Sequence, residues 1–148
     1  MSAGVGNGLS TGAGTVRVGD ERTTVVVEDL KRAQIVQYAG ASGDFNPVHT
    51  DEPFATGPAA SPSVFAHGML TMGMAGRALT DWFGPEAPLT YKVRFLTPVF
   101  PGSTLSVRAE VRAVEGDTAT VGLTVTDQNG VTVMTGDATV RTSEGARP

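Results

Sequence analysis

The stretch "YAGASGDFNPVHTD", residues 38–51, decides how this chain is read. Its fourteen positions hold a carboxylate at Asp44, an Asn46-Pro47 step and His49, one of only two histidines in the chain. Proline sets its own φ near about −65° and drives the preceding residue to an extended backbone. The step between Asp44 and His49 is therefore a rigid turn able to aim a carboxylate and an imidazole at one volume. Gly40 and Gly43, with Ala41 and Ser42 beside them, let the chain fold tightly and leave room for a ligand close to the backbone. A carboxylate with a histidine that titrates near neutral pH is a minimal acid/base pair. Each such group contributes roughly 10²–10⁴-fold when it lies within hydrogen-bond reach of the moving proton. Such a pair can hold one water, take its proton and return a proton to an adjacent carbon. The competing reading is a plain turn, because Asp and Asn bond readily to their own backbone. Spacing alone leaves both open.

The other histidine stands in "FAHGML". His67-Gly68 falls where the next apolar segment begins, and a helix start offers unpaired N–H groups and partial positive charge. Gly68 would let a substrate oxygen approach that backbone, which is what an oxyanion hole for a thioester enolate requires. The plainer alternative is a packing glycine with His67 as a local cap. A metal site built from His49, Asp51 and His67 lacks an HExxH or clustered-carboxylate pattern. A Ser-His-Asp triad through Ser42 or Ser63 lacks a GxSxG elbow.

Around these motifs the pattern is that of one α+β domain. "TTVVVEDL" closes a first strand, expected from about Val16 and ending near Val27. Asp29 is expected to cap a short amphipathic helix whose apolar side carries Leu30, Ala33, Ile35 and Val36, and which ends in the Gly40–Gly43 cluster. The proline-rich segment from Gly43 to Ala66 reads as an irregular, functional loop. "HGMLTMGMAGRALTDWFGP" is apolar nearly all round, with only Arg77 and Asp81 charged, so it is expected inside a core and to stop at Gly84-Pro85. Four antiparallel strands follow. In the second, Leu105, Val107, Ala109 and Val111 alternate with Ser106, Arg108, Glu110 and Arg112, and "DQNG" joins the last two. A curved antiparallel sheet wrapped around one long buried helix is the hotdog fold. Its open edge would pair readily with another copy, so a dimer is expected.

Composition narrows the function further. A chain of 148 residues is long enough for one domain that hides about 70% of its unfolded surface. With a formal net charge of −4 it presents no footprint for nucleic acid. It has no cysteine, which removes disulfides and thiolate chemistry and fits a cytoplasmic protein. No apolar run is long enough to span a membrane. The Gly/Ser-rich residues 1–14 read as a flexible tail or expression remnant ahead of a domain at residues 15–148.

"YAGASGDFNPVHTD", then "AHGMLTMGMAG", then "YKVRFLTPVFPG" together resemble the MaoC-like, hydratase 2 group of hotdog proteins. That group comprises (R)-specific enoyl-CoA hydratases and (3R)-hydroxyacyl thioester dehydratases. The resemblance covers about Val18 to Thr142, with the Ser-Gly-Asp-x-Asn-Pro-x-His core intact from Ser42 to His49. The single-hotdog length and "AHGMLTMG" especially resemble the catalytic B-type subunit of actinobacterial hydroxyacyl-ACP dehydratases, which pairs with a separate A-type subunit. The resemblance implies a catalytic dyad of Asp44 and His49, Asn46 bracing the loop and near substrate with His67, and the Gly68 N–H on the thioester carbonyl. It implies reversible hydration of a trans-2-enoyl thioester of CoA or acyl carrier protein, in fatty acid metabolism, with no cofactor and no metal. Two alternatives remain: a hotdog acyl thioesterase, and a non-catalytic thioester-binding subunit of a dehydratase complex. "EPFATGPAASPSVF" departs from the family by its proline and alanine content, at a segment expected to line the acyl pocket.

Overall fold

The computed structural model describes residues 15–142; the N-terminal stretch read as a tail lies outside them. Nine elements follow in order: β1 (Glu21–Val27), α1 (Arg32–Ser42), a 3-10 turn (Pro47–His49), α2 (Glu52–Thr56), α3 (Gly68–Phe83), β2 (Pro88–Phe95), β3 (Leu105–Glu115), β4 (Thr118–Thr126) and β5 (Thr132–Arg141). The strands form one sheet in the order β1-β3-β4-β5-β2, and every neighbouring pair is antiparallel. α3 lies across its inner face, which is the hotdog arrangement.

Alternation places the core. Leu105, Val107, Ala109 and Val111 of β3 and Val121, Leu123 and Val125 of β4 are all buried. Opposite them α3 contributes Ala75, Ala78 and Leu79, small or slender residues that let the helix settle close to the strands. Tyr91 of β2 donates its hydroxyl to the Met72 carbonyl at 2.8 Å, tying the helix to the edge strand. Burial pushes its phenol up to about 12. In the "DQNG" turn, Asp127 Oδ1 accepts from the N–H groups of Asn129 and Val131, and Gly130 has φ of 77°.

Four details differ from expectation. β1 starts only at Glu21, because Gly19 takes φ of 94° and turns the chain. Asp29 does not cap α1. It sits at φ of 49° and donates its N–H to Thr104 Oγ1, while Lys31 is the N-cap and its N–H is bonded by Gln34 Oε1 at 2.8 Å. α1 buries only Ile35 and Ala39; Ala33 and Val36 face outward. The segment before α3 is not wholly irregular, since Asp51 caps α2 by accepting from the Phe54 N–H.

α3 also departs from full burial. Thr71, Ala75, Ala78, Leu79 and Phe83 are inside, but Met69 is 56% exposed. On the edge strand and just beyond it, Leu89, Phe95 and Leu96 are exposed as well. The all-round apolar character of this helix exceeds what one sheet can cover. Among the described residues no helix is long and apolar enough to cross a membrane.

Leu123 is fully buried at the centre of the sheet. Leu123→Ala is expected to cost about 2–5 kcal/mol, read as a lower denaturant midpoint at unchanged slope. Arg108→Ala, at a solvent-exposed ion pair with Glu21, is expected to leave the denaturant midpoint nearly unchanged.

Candidate active site

Between α1 and α2 the backbone is organised by a run of short side-chain bonds. α1 ends at Gly43, whose φ of 75° suits only glycine without strain. Ser42 Oγ accepts from the Asp44 N–H, Asp44 Oδ1 from the Asn46 N–H, and Asn46 Oδ1 from the Val48 N–H, at 3.1–3.2 Å. Asn46 thereby caps the 3-10 turn that begins with Pro47 and ends with His49. The turn reading and the site reading of this stretch are both satisfied, because the turn is what aims the two side chains.

His49 is 9% exposed. Its Nδ1 lies 2.7 Å from the Phe65 carbonyl. A carbonyl only accepts, so Nδ1 carries a proton, and in the neutral ring Nε2 keeps its lone pair. That Nε2 faces Asp44 Oδ2 across 3.9 Å. The gap is too long for a direct hydrogen bond, and suits one water donating a hydrogen to each side, its oxygen left free to attack. Asp44 is half exposed, so the pair opens to solvent on one side.

His67 is 2% exposed and packs on the same centre. Its ring stacks on His49 at 3.8 Å between centroids and 25° between planes. Its Nε2 lies 3.0 Å from the Asp44 carbonyl oxygen, and the edge of Tyr38 backs it at 4.8 Å. The next residue, Gly68, opens α3, so its N–H has no intrahelical acceptor. A Cβ at Gly68 would stand 3.0–3.1 Å from the Phe95 ring, so glycine is what lets Phe95 lie against the helix start. Both line an apolar groove of about 310 Å³ with Phe65, Thr71, Leu96 and Val133.

Asp44, His49 and His67 place one ligand-capable atom each within 4.8 Å of one another. The arrangement does not suit a metal. Imidazole lone pairs lie in the ring plane, and the His49 and His67 rings are stacked face to face. His67 Nε2 is moreover bonded to the Asp44 carbonyl. Asp51, the carboxylate considered from spacing, is spent as the α2 cap. Neither serine forms a triad: Ser42 serves the Asp44 N–H, and Ser63 lies beside Glu52 and Arg32.

Sequence reasoning missed three supports. Tyr38 opens the decisive stretch, yet its contact with His67 spans the fold. Phe65 supplies the carbonyl for His49 and meets its ring edge-on at 5.3 Å. Glu52 Oε2 accepts from Arg32 at 2.7 Å and more weakly from Ser63 and the Val64 N–H, linking α1, α2 and the strand-like run into His67. No short motif signals these, because each joins distant positions.

The MaoC like domain family matches residues 13–140. The (R)-specific enoyl-CoA hydratase of Aeromonas caviae is 32% identical over 117 residues, covering 74% of this chain and 84% of the relative. The solved (R)-hydratase from A. caviae superimposes with a TM-score of 0.77 at 28% identity, covering 86% of this chain and 97% of that one. The ChsH1–ChsH2 complex from Mycobacterium tuberculosis gives 0.76 at 26% identity, covering 86% and 98%. The chain spans only 7–27% of the length of the first three curated relatives it matches, so those alignments concern one part of larger proteins.

The Arg32 hydrogen bond, foremost, holds the Glu52 carboxyl below the usual glutamate range. A depressed carboxyl contributes stability that is present above its unfolded value, about 4.3, and lost as pH falls through the folded one. Glu52→Gln should therefore lower the melting temperature slightly near neutral pH, and the difference from the parent should close on acidification below about pH 4. A difference that persists at low pH would assign the effect to packing.

Proposed function

The chain belongs to the MaoC-like domain family, and on that premise we propose that it catalyses reversible hydration of a trans-2-enoyl thioester to a (3R)-3-hydroxyacyl thioester in the cytoplasm. The observation that carries this is the 3.9 Å opening between the His49 Nε2 lone pair and Asp44 Oδ2. A water there donates to both and attacks C3 of the enoyl group. The C3–O bond forms as the C2=C3 π pair moves toward C1, giving an enolate on the thioester oxygen. The Gly68 N–H, at the positive end of α3, stabilises that oxygen; one such donor is worth about 10²–10³ in rate. The water's proton passes to the Asp44–His49 pair, and a proton returns from the pair to C2. Both groups sit on the water's side, so addition occurs on one face. The pair shares the proton, and its apparent pKa values belong to both groups. Asn46 holds the turn, and the thioester is itself the electron sink, so no cofactor enters.

The groove beside Gly68 accommodates the acyl chain, its wall apolar apart from Thr71 and Thr97. The carrier is CoA or an acyl carrier protein. The active form is a dimer, either of two copies or of this chain with another hotdog subunit. Support comes from the half-covered α3 and the exposed apolar residues at the β2 edge. The solved ChsH1–ChsH2 complex, whose fold this chain shares, is an assembly of two named subunits.

Asp44→Asn and His49→Ala are each expected to remove at least about 10²-fold of the hydration rate on crotonyl-CoA, followed as loss of enoyl absorbance, while the protein stays folded. Near-parental turnover in either would refute the dyad. Release of free thiol with the enoyl absorbance intact would instead indicate a thioesterase. Sedimentation velocity at micromolar protein should show a dimer; a sharp monomer peak, alone and with a partner subunit, would remove that part of the proposal.

A further inference from the structure

We infer that His67 is a positioning residue for the hydration pair, holding the Asp44 backbone and the plane of the His49 ring, and is not a ligand of the thioester carbonyl. The inference rests on the hydration reading above and assigns the roles within its site.

Three contacts converge on this imidazole. Nε2 meets the Asp44 carbonyl oxygen at 3.0 Å, and since that oxygen only accepts, Nε2 carries the proton. The ring face covers His49 at 3.8 Å, while Tyr38 meets the His67 ring in a T-shaped contact, centroids 4.8 Å apart. His67 is also the N-cap residue of α3, one position before Gly68. One side chain therefore joins the Asp44 backbone, the His49 imidazole and the proposed oxyanion donor into a single unit.

With the proton on Nε2, neutral His67 has a bare Nδ1. That nitrogen is the only buried side-chain nitrogen or oxygen without a hydrogen-bond partner among the described residues. A phenylalanine would fill the stack without leaving a buried nitrogen unpaired, which folded proteins generally avoid. Only a side chain with both a flat face and a donor at that reach does what His67 does here. The bare Nδ1 is an acceptor, and so is a thioester carbonyl, so the two cannot bond. The carbonyl is left to the Gly68 N–H.

Removing the Nε2–H would free the Asp44 backbone to shift against His49 and widen or close the 3.9 Å opening. Misplacement of about 1 Å costs on the order of 10²-fold in rate. His67→Phe keeps an aromatic face and loses the donor. His67→Gln loses the face but carries an amide N–H the same number of bonds from Cα as Nε2.

His67→Phe is expected to lower kcat on crotonyl-CoA about 10²-fold with KM within about 2-fold. His67→Gln is expected to recover at least about 10-fold of that loss. Parental kcat in His67→Phe, equal losses in both variants, or a raised KM at unchanged kcat would overturn the inference. ¹⁵N NMR of the unmutated protein decides independently of how the variants fold. It should show His67 protonated at Nε2 and His49 at Nδ1, and a His67 protonated at Nδ1 would overturn the inference. An unmutated protein inert on enoyl thioesters, alone and with a partner subunit, would overturn both this inference and the hydration reading. An active one with unimpaired His67→Phe would overturn this inference alone.

Discussion

The hydrogen bond from His49 Nδ1 to the Phe65 carbonyl, at 2.7 Å, is the constraint on which the site depends. It selects the tautomer of a nearly buried imidazole and turns the lone pair at Nε2 toward Asp44. Without it the ring could flip, and either nitrogen could present a proton to the space where a base is needed. The bond is made between a 3-10 turn and the extended run leading into α3, so the imidazole is fixed by elements far apart in sequence. Backbone bonds from the Phe65 N–H to the Val48 carbonyl and from the Ala66 N–H to the Val99 carbonyl hold that run in place.

The rest of the fold serves this junction. The sheet gives α3 a surface to lie on, and α3 presents its first turn, with Gly68, at the end where His67 meets the Asp44 turn. The proline-rich segment is tied to α1 through the Arg32–Glu52 bond, and only its end, Phe65 and Ala66, lines the groove, where more of it was expected to line the acyl pocket. Among the described residues, nothing covers the outer side of α3 and the β2 edge. The apolar groove lies at that uncovered side, lined by Phe95 and Leu96, which are themselves half exposed. The proposed catalytic groups and the apolar groove thus meet at the surface where the proposed second hotdog subunit would sit.

Much of this was legible in residues that act locally. The alternation in β3 and β4 follows from period-two burial of a sheet with one face inward, and both strands bury the residues it marks. The pairing of Asp44 with His49 follows from the Asn46-Pro47 turn, whose Asx bonds depend on neighbours two residues away. The start of α3 at Gly68 was visible for the same reason. The failures were of another kind. Val36 looked like part of an apolar stripe, but α1 touches the core only through Ile35 and Ala39. Asp29 looked like a cap, but a contact with Thr104, 75 residues away, holds it in a left-handed conformation. α3 looked fully buried because its sequence is written for a surface larger than one sheet. The stack of His67 on His49, the contact that gives the second histidine its role, depends on tertiary packing that no spacing rule encodes.

In the proposed reaction one solvent-derived oxygen is shared by Asp44 and His49 at C3 of the substrate. A crystal structure of the protein with a (3R)-3-hydroxyacyl thioester tests it most directly. The 3-hydroxyl oxygen is expected about 2.6–3.2 Å from both Asp44 Oδ2 and His49 Nε2, with the thioester oxygen on the Gly68 N–H. A 3-hydroxyl bound away from both groups, in a site otherwise occupied by the thioester, would contradict it.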